Sequence, residues 1–226
     1  MTARRHLAVL QACLATLGAA GAGPAAAVSL GQTDSFQNAS LDGWATGPGS
    51  PNPPTQVPNG GPAGVTDGYL LLSSSGNPGA GGRLVAFAGP QWAGNYLSAG
   101  VATIALDAHN LGPSGLNLRL YLEGPGGTSF SLAAQAAAAS GPWQHLVFDL
   151  HPAALSGAAA AAVLANVTLL RLYHSPAAAG PQASPFLAAS LGIDNVSAVP
   201  EPAHAWLLAG GLAAAILLLQ RRRPAG

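Results

Sequence analysis

The 226-residue chain has no lysine, a single cysteine (Cys13), and charged residues amounting to only 7% with a formal net charge of zero. Binding to nucleic acid draws its affinity from lysine and arginine neutralising phosphates, so this balance argues against a nucleic-acid partner. Cys13 sits inside an apolar N-terminal stretch. Everything after that stretch is free of thiols, which removes disulfides, thiol catalysis and cysteine metal ligands from consideration. The usual catalytic signatures are missing as well. There is no HExxH and no G-x-S-x-G, and the glycine runs Gly79 to Gly82 and Gly124 to Gly127 lack the Lys-Ser/Thr ending of a phosphate loop. His109, His145, His151 and His174 show no i, i+4 pairing, so a zinc site would have to be assembled entirely by the fold. Carboxylates are few and scattered. A glycosidase needs two of them about 5–10 Å apart, and Asp107, Glu123 and Asp149 could meet only through folding.

What the chain does have is concentrated first at its ends. Arg4 and Arg5 precede an apolar stretch from Leu7 to Ala20, and small residues follow up to Ala25-Ala26-Ala27. This order is that of a secretory signal peptide over residues 1–27, with cleavage expected after Ala27. At the other end, Val199-Pro200-Glu201-Pro202 leads into an apolar segment from Ala205 to Leu219, closed by Arg221, Arg222 and Arg223. As a helix that segment reaches roughly 23 Å at about 1.5 Å per residue, against a hydrocarbon core of about 30 Å. Snorkelling by Arg221 and local bilayer thinning can close part of the gap. Arginines outside both apolar segments stay on the cytoplasmic side, which sends the intervening chain across the membrane.

The C-terminal pattern of Pro200-Glu201-Pro202, a short glycine-containing apolar helix and Arg221 to Arg223 resembles the PEP-CTERM sorting signal of Gram-negative bacteria. The resemblance implies an exosortase-type processing enzyme as partner and a precursor anchored in the inner membrane. It further implies a mature protein at the cell surface or outside it, associated with exopolysaccharide and biofilm. It covers residues 199–226, with the transmembrane helix inside them, and leaves the body, residues 28–198, to be read separately.

That body is of single-domain size, about 170 residues. Short runs alternate with period two between clusters of Gly, Pro, Asn and Ser, the pattern of an antiparallel all-β domain. In Leu116 to Glu123, Leu116, Leu118, Leu120 and Leu122 fall on one face and Asn117, Arg119, Tyr121 and Glu123 on the other. Trp143 to Leu150 and Asn166 to His174 repeat the arrangement. Further strands are expected near Asp34 to Asn38, Asp67 to Ser73, Arg83 to Ala88, Ala99 to Ala108, Ser129 to Ala133 and Leu191 to Val199, about nine in all. The expected fold class is therefore an all-β, antiparallel two-sheet sandwich. Gly47 to Pro62 and Ser175 to Pro185 read as loops. The alanines of Pro152 to Leu164 suit a short helix or a crossover loop.

The body also resembles the jelly rolls of carbohydrate-binding and laminin-type modules. The matching pieces are Asp34-Ser35-Phe36 with Leu41-Asp42-Gly43-Trp44, Gly141-Pro142-Trp143-Gln144-His145-Leu146 with Phe148-Asp149-Leu150, and Leu191-Gly192-Ile193-Asp194-Asn195-Val196. The resemblance implies a structural calcium, for which Asp34 and Asp194 stand in comparable places; Gln37 occupies the position where a glutamate is usual. Because sugar faces stack on aromatic rings, the candidate glycan-binding set is Trp92, Tyr96, Tyr121 and Tyr173 beside Arg119 and Arg171. Trp44 and Trp143 are expected to cap the core. The favoured function is an exported, non-catalytic cell-surface or extracellular-matrix protein associated with exopolysaccharide, with glycan as its candidate ligand. The alternatives are a secreted glycan-acting enzyme and a matrix protein without a ligand.

Overall fold

The computed structural model describes residues 27–157 and 159–200. The expected signal peptide (residues 1–27) but for Ala27, and the sorting segment from Glu201 onward, including Pro202, Arg221, Arg222 and Arg223, lie outside the described residues. No helix among the described residues is long and apolar enough to cross a membrane.

In chain order the strands are β1 (Thr33–Asp34), β2 (Thr55–Val57), β3 (Tyr69–Ser75), β4 (Val85–Phe87), β5 (Thr103–Asn110), β6 (Leu116–Gly124), β7 (Gly127–Phe130), β8 (Gln135–Ala137), β9 (Gln144–Asp149), β10 (Leu169–His174) and β11 (Ala188–Val199). Two short helices, α1 (Tyr96–Ala99) and α2 (Ala160–Leu164), interrupt them. All pairings are antiparallel and form two sheets. Sheet A runs β2-β3-β11-β5-β9 with β1 also on β11, and sheet B runs β4-β10-β6-β7 with β8 also on β6.

The core lies between the sheets because alternate residues of each strand point inward. Leu118, Leu120, Leu122, Leu170 and Leu172 of sheet B meet Ile104, Leu106, Phe148, Leu191 and Ile193 of sheet A, all at most 1% exposed. Truncating any of these leucines to alanine would cost about 2–5 kcal/mol in lost transfer energy and residual cavity. Strand β11 is the axis of sheet A. Its register shifts between Asp194 and Ser197, and Asn195 takes a left-handed φ of 50° there, a conformation asparagine tolerates better than most residues.

Eleven strands replace the nine expected. β2 falls inside Gly47 to Pro62, read as pure loop, and pairs only at the sheet edge through Thr55, Gln56 and Val57. β8 is three residues long. Ala99 starts no strand; it ends α1, whose Asn95 cap accepts the Ser98 N–H and whose chain is released by Gly100 at φ 73°. The alanine-rich stretch divides into a 3-10 turn, Pro152–Ala154, and α2. Trp44 is buried in the core, but Trp143 is not a core cap. Its ring lies on the far face of sheet A, 5.3 Å from both Tyr69 and His109. Gly192 permits this, since a Cβ there would come within 3.0 Å of the Tyr69 ring and 3.1 Å of Trp143.

Candidate functional site

Strands β6 and β10 are neighbours, with Arg171 opposite Tyr121 and Tyr173 opposite Arg119. These four residues share the face of sheet B that points away from the core, as the alternation requires. They are not an open platform. The segment from Ser175 to Ser184 folds back over that face: Arg119 Nε donates to Ser175 O at 3.0 Å, and the Tyr173 hydroxyl donates to Ala179 O at 2.7 Å. Arg119 also donates through Nη1 to Ser131 O and Leu132 O, so its guanidinium is spent on backbone carbonyls. Arg119, Tyr121 and Tyr173 are buried, and burial pushes the Tyr173 phenol up to about 12.

Trp92 and Tyr96, expected to look outward, are fully buried. The Tyr96 hydroxyl donates to Trp92 O at 2.8 Å, and burial raises its pKa. Trp92 owes its position to Asp34. Both indoles, Trp44 Nε1 at 2.7 Å and Trp92 Nε1 at 2.6 Å, donate to Asp34 Oδ2, with the Gln91 amide 3.1 Å from the same atom. Burial raises the Asp34 carboxyl, while these donors oppose the rise by stabilising its charge.

Asp34 is therefore occupied, and it does not join Asp194 around a cation. Asp34 pairs with Val196, a core residue, and points to the core side. Asp194 follows the core residue Ile193 and points to the opposite face of the sheet. Among the described residues no three His, Asp or Glu side chains come together as a metal site. Near the end of β1, the Gln37 amide nitrogen donates to Ser35 O (2.8 Å), Asp67 Oδ1 (2.9 Å) and Gly68 O (3.2 Å), while its oxygen accepts the Gly68 N–H. Lying on opposite faces of sheet A, Asp34 and Asp194 are not placed to share the calcium that the jelly-roll resemblance implies. Asp194 is left fully buried with neither carboxylate oxygen hydrogen-bonded. Burial pushes it up to about 7; the dipole of the neighbouring Asn195 N–H, not in hydrogen-bonding geometry, opposes this, and Asp67, Asp107 and Asp42 add repulsion.

The three scattered carboxylates do not converge either. Asp107 is held on sheet A by His145 Nδ1 at 2.9 Å and Asn195 Nδ2 at 2.8 Å, whereas Glu123 is on sheet B beside Arg171. Asp149 pairs with Thr103, four residues along β5 from Asp107, which sets these two roughly 13 Å apart at about 3.4 Å per residue. Asp149 caps the His151 N–H at 2.7 Å.

The open site lies along β4. An open cavity of about 230 Å³ is lined by Phe87 and Arg171 on sheet B, Arg83 ahead of β4, Thr46 and Ser50 from the first long loop, and Gln182 from the returning segment. Its wall closes where Gly81, at φ 72°, meets the Ser50 to Asn52 turn; a Cβ there would lie 2.7 Å from Pro51 and 2.8 Å from Ser50 Oγ. Arg171 is fixed between two rings, its guanidinium 4.6 Å from the Phe87 centroid and 4.9 Å from that of Tyr121. Its Nη2 donates to Glu123 Oε2 at 3.2 Å. Arg83 lies 3.9 Å over the Phe186 ring and donates through Nε to Ser184 O at 2.6 Å. Of the predicted glycan-binding residues only Arg171 lines this cavity. Arg83, Phe87, Thr46, Ser50 and Gln182 escape sequence reading because they come from separate segments, although the length of the Gly47 to Pro62 loop marks one wall.

No protein-family model matches the chain, and no curated protein does. Solved structures align with it at low identity. An exo-beta-agarase aligns with a TM-score of 0.56 at 12% identity, over 77% of this chain and 25% of the agarase. The chain thus spans a quarter of that protein's length. Two family 11 carbohydrate-binding modules from Clostridium thermocellum also align. One, in complex with a beta-1,3-1,4-mixed-linked tetrasaccharide, has a TM-score of 0.47 at 14% identity, covering 76% of this chain and 97% of the module. The other, from the cellulosomal cellulase Lic26A-Cel5E, has a TM-score of 0.49 at 10% identity, with 77% and 96% covered.

Proposed function

We propose that the chain is a non-catalytic, exported surface or matrix protein that binds polysaccharide in the cavity along β4. The observation that carries this reading is the composition of that cavity. Fixed guanidinium donors (Arg83, Arg171), hydroxyls and an amide (Thr46, Ser50, Gln182) surround the ring of Phe87, the combination that orients sugar hydroxyls and stacks a sugar face. Among the described residues that line the cavity there is no carboxylate; the glycan-acting alternative would call for a carboxylate pair there.

Export and sorting rest on the ends of the sequence. The arginine-flanked apolar segments, with Val199, Pro200, Glu201 and Pro202 ahead of the second, would deliver the body across the inner membrane and present it to an exosortase-type enzyme. Affinity electrophoresis of the full-length chain through gels containing individual polysaccharides tests the binding. Retardation by at least one polymer, reduced at least fivefold in Phe87→Ala, is expected. Unchanged mobility in every gel would overturn it. Intact-mass measurement of the mature protein from its host tests sorting: a mass still containing Arg221 to Arg223 would contradict removal of the tail.

A further inference from the structure

The charges of the body are segregated. Among the described residues the only arginines are Arg83, Arg119 and Arg171, and there is no lysine. All three belong to sheet B or to the segment leading into it. Asp34, Asp107, Asp149 and Asp194 stand on sheet A, Asp42 and Asp67 lie in loops that contact its first strands, and Glu123 alone is on sheet B. The described residues thus carry three positive charges against seven negative ones, a formal charge of −4, and with Arg119 buried on backbone carbonyls the accessible positive charge of the body is confined to Arg83 and Arg171, where the cavity opens.

Within the cavity the balance is more pointed. Arg171 has one carboxylate partner, Glu123, which is 43% exposed and holds it through a single contact. Its Nε is buried without any acceptor. Arg83 makes no ion pair among the described residues; its one hydrogen bond there goes from Nε to a carbonyl, which leaves the Nη groups free. Both guanidiniums are held over rings, so little rotamer freedom remains to be lost on binding. A neutral sugar would leave the Arg83 charge without a counterpart among the described residues and that of Arg171 with Glu123 alone. An acidic one would supply it, through charge-assisted bonds stronger than those to a hydroxyl.

We propose that the polysaccharide recognised by the β4 cavity is anionic, carrying uronate carboxylates or sulfate esters that pair with Arg83 and Arg171. This rests on the cavity being a glycan site, and the experiment separates the two claims. Full-length protein is run against polygalacturonate, a sulfated galactan, neutral agarose and a mixed-linkage glucan, at about 50 and 300 mM salt. Expected is preferential retention by one acidic polymer, weakened severalfold at the higher salt, the polymer retained identifying carboxylate or sulfate. Arg83→Gln is expected to weaken that retention about tenfold, and Arg83→Lys to restore part of it. Equal, salt-insensitive retention by a neutral polymer would overturn the anionic assignment and leave glycan binding standing. Retention by none of the four would overturn both. The salt response of the unaltered protein decides the matter even where a variant folds poorly.

Discussion

Asp194→Asn is expected to stabilise the protein at alkaline pH and to flatten its pH dependence. The Asp194 carboxyl is fully buried, its oxygens accept no hydrogen bond, and its pKa is pushed from 3.8 up to about 7, chiefly by loss of water. In the unfolded chain the proton leaves near pH 4; in the folded chain it is held to about pH 7. Between these values the native state binds the extra proton, so stability falls as pH rises through the window and levels off above it. The gap corresponds to roughly 4 kcal/mol at about 1.4 kcal/mol per tenfold change. Asparagine is neutral throughout but still buries polar atoms, so the gain at pH 8 is expected at about 2–4 kcal/mol, shrinking towards zero at pH 4. Asp34, also raised by burial, adds a trend of the same sign; His174, lowered by burial, contributes stability that is lost as pH falls. Both are common to the two proteins and cancel in the difference. Urea unfolding followed by tryptophan fluorescence at pH 4.5, 6 and 8 supplies the measurement. If Asp194→Asn instead destabilises at pH 8, or millimolar calcium raises the melting temperature of the unaltered protein, the carboxylate is paired with a cation and the burial argument fails.

Asp34→Ala removes the acceptor shared by two buried indoles and should lower stability by about 3–5 kcal/mol, measured as a drop in the urea midpoint. Gly192→Ala drives a methyl against Tyr69 and Trp143 and is expected to cost about 1–2 kcal/mol, with a shift in Trp143 fluorescence as the ring is displaced. Tyr173→Phe deletes the bond to Ala179 O; about 1 kcal/mol is expected, with elastase cutting the Ser175 to Ser184 segment faster than in the parent.

The long leucine-bearing strands of sheet B were legible because one face of each is continuously apolar, and period two then assigns every side chain. The same periodicity correctly puts Arg119, Tyr121, Arg171 and Tyr173 on one face. It carries no information about what crosses that face, and the Ser175 to Ser184 segment, bonded to Arg119, Tyr173 and Arg83, is what buries three of the four. Trp92 escaped for a related reason. Its burial depends on a carboxylate 58 residues earlier in the chain, and nothing local announces that Asp34 will accept two indole donors. Strand β2 sits among prolines and glycines and exists only through pairing with β3. The cavity is assembled from four stretches distant in sequence, so its members share no spacing that a motif could capture.

Strand β11 is the inner member of sheet A and also the last part of the described body to leave the ribosome. Until residues 188–199 are made, β1 has no partner, β3 keeps only β2, and β5 keeps only β9. Pairings so remote in the chain form slowly, and here half the sandwich must wait for synthesis to finish. A nascent polypeptide in that state lacks the central strand of one sheet, so the layer between the two sheets cannot close until the last residues are in place.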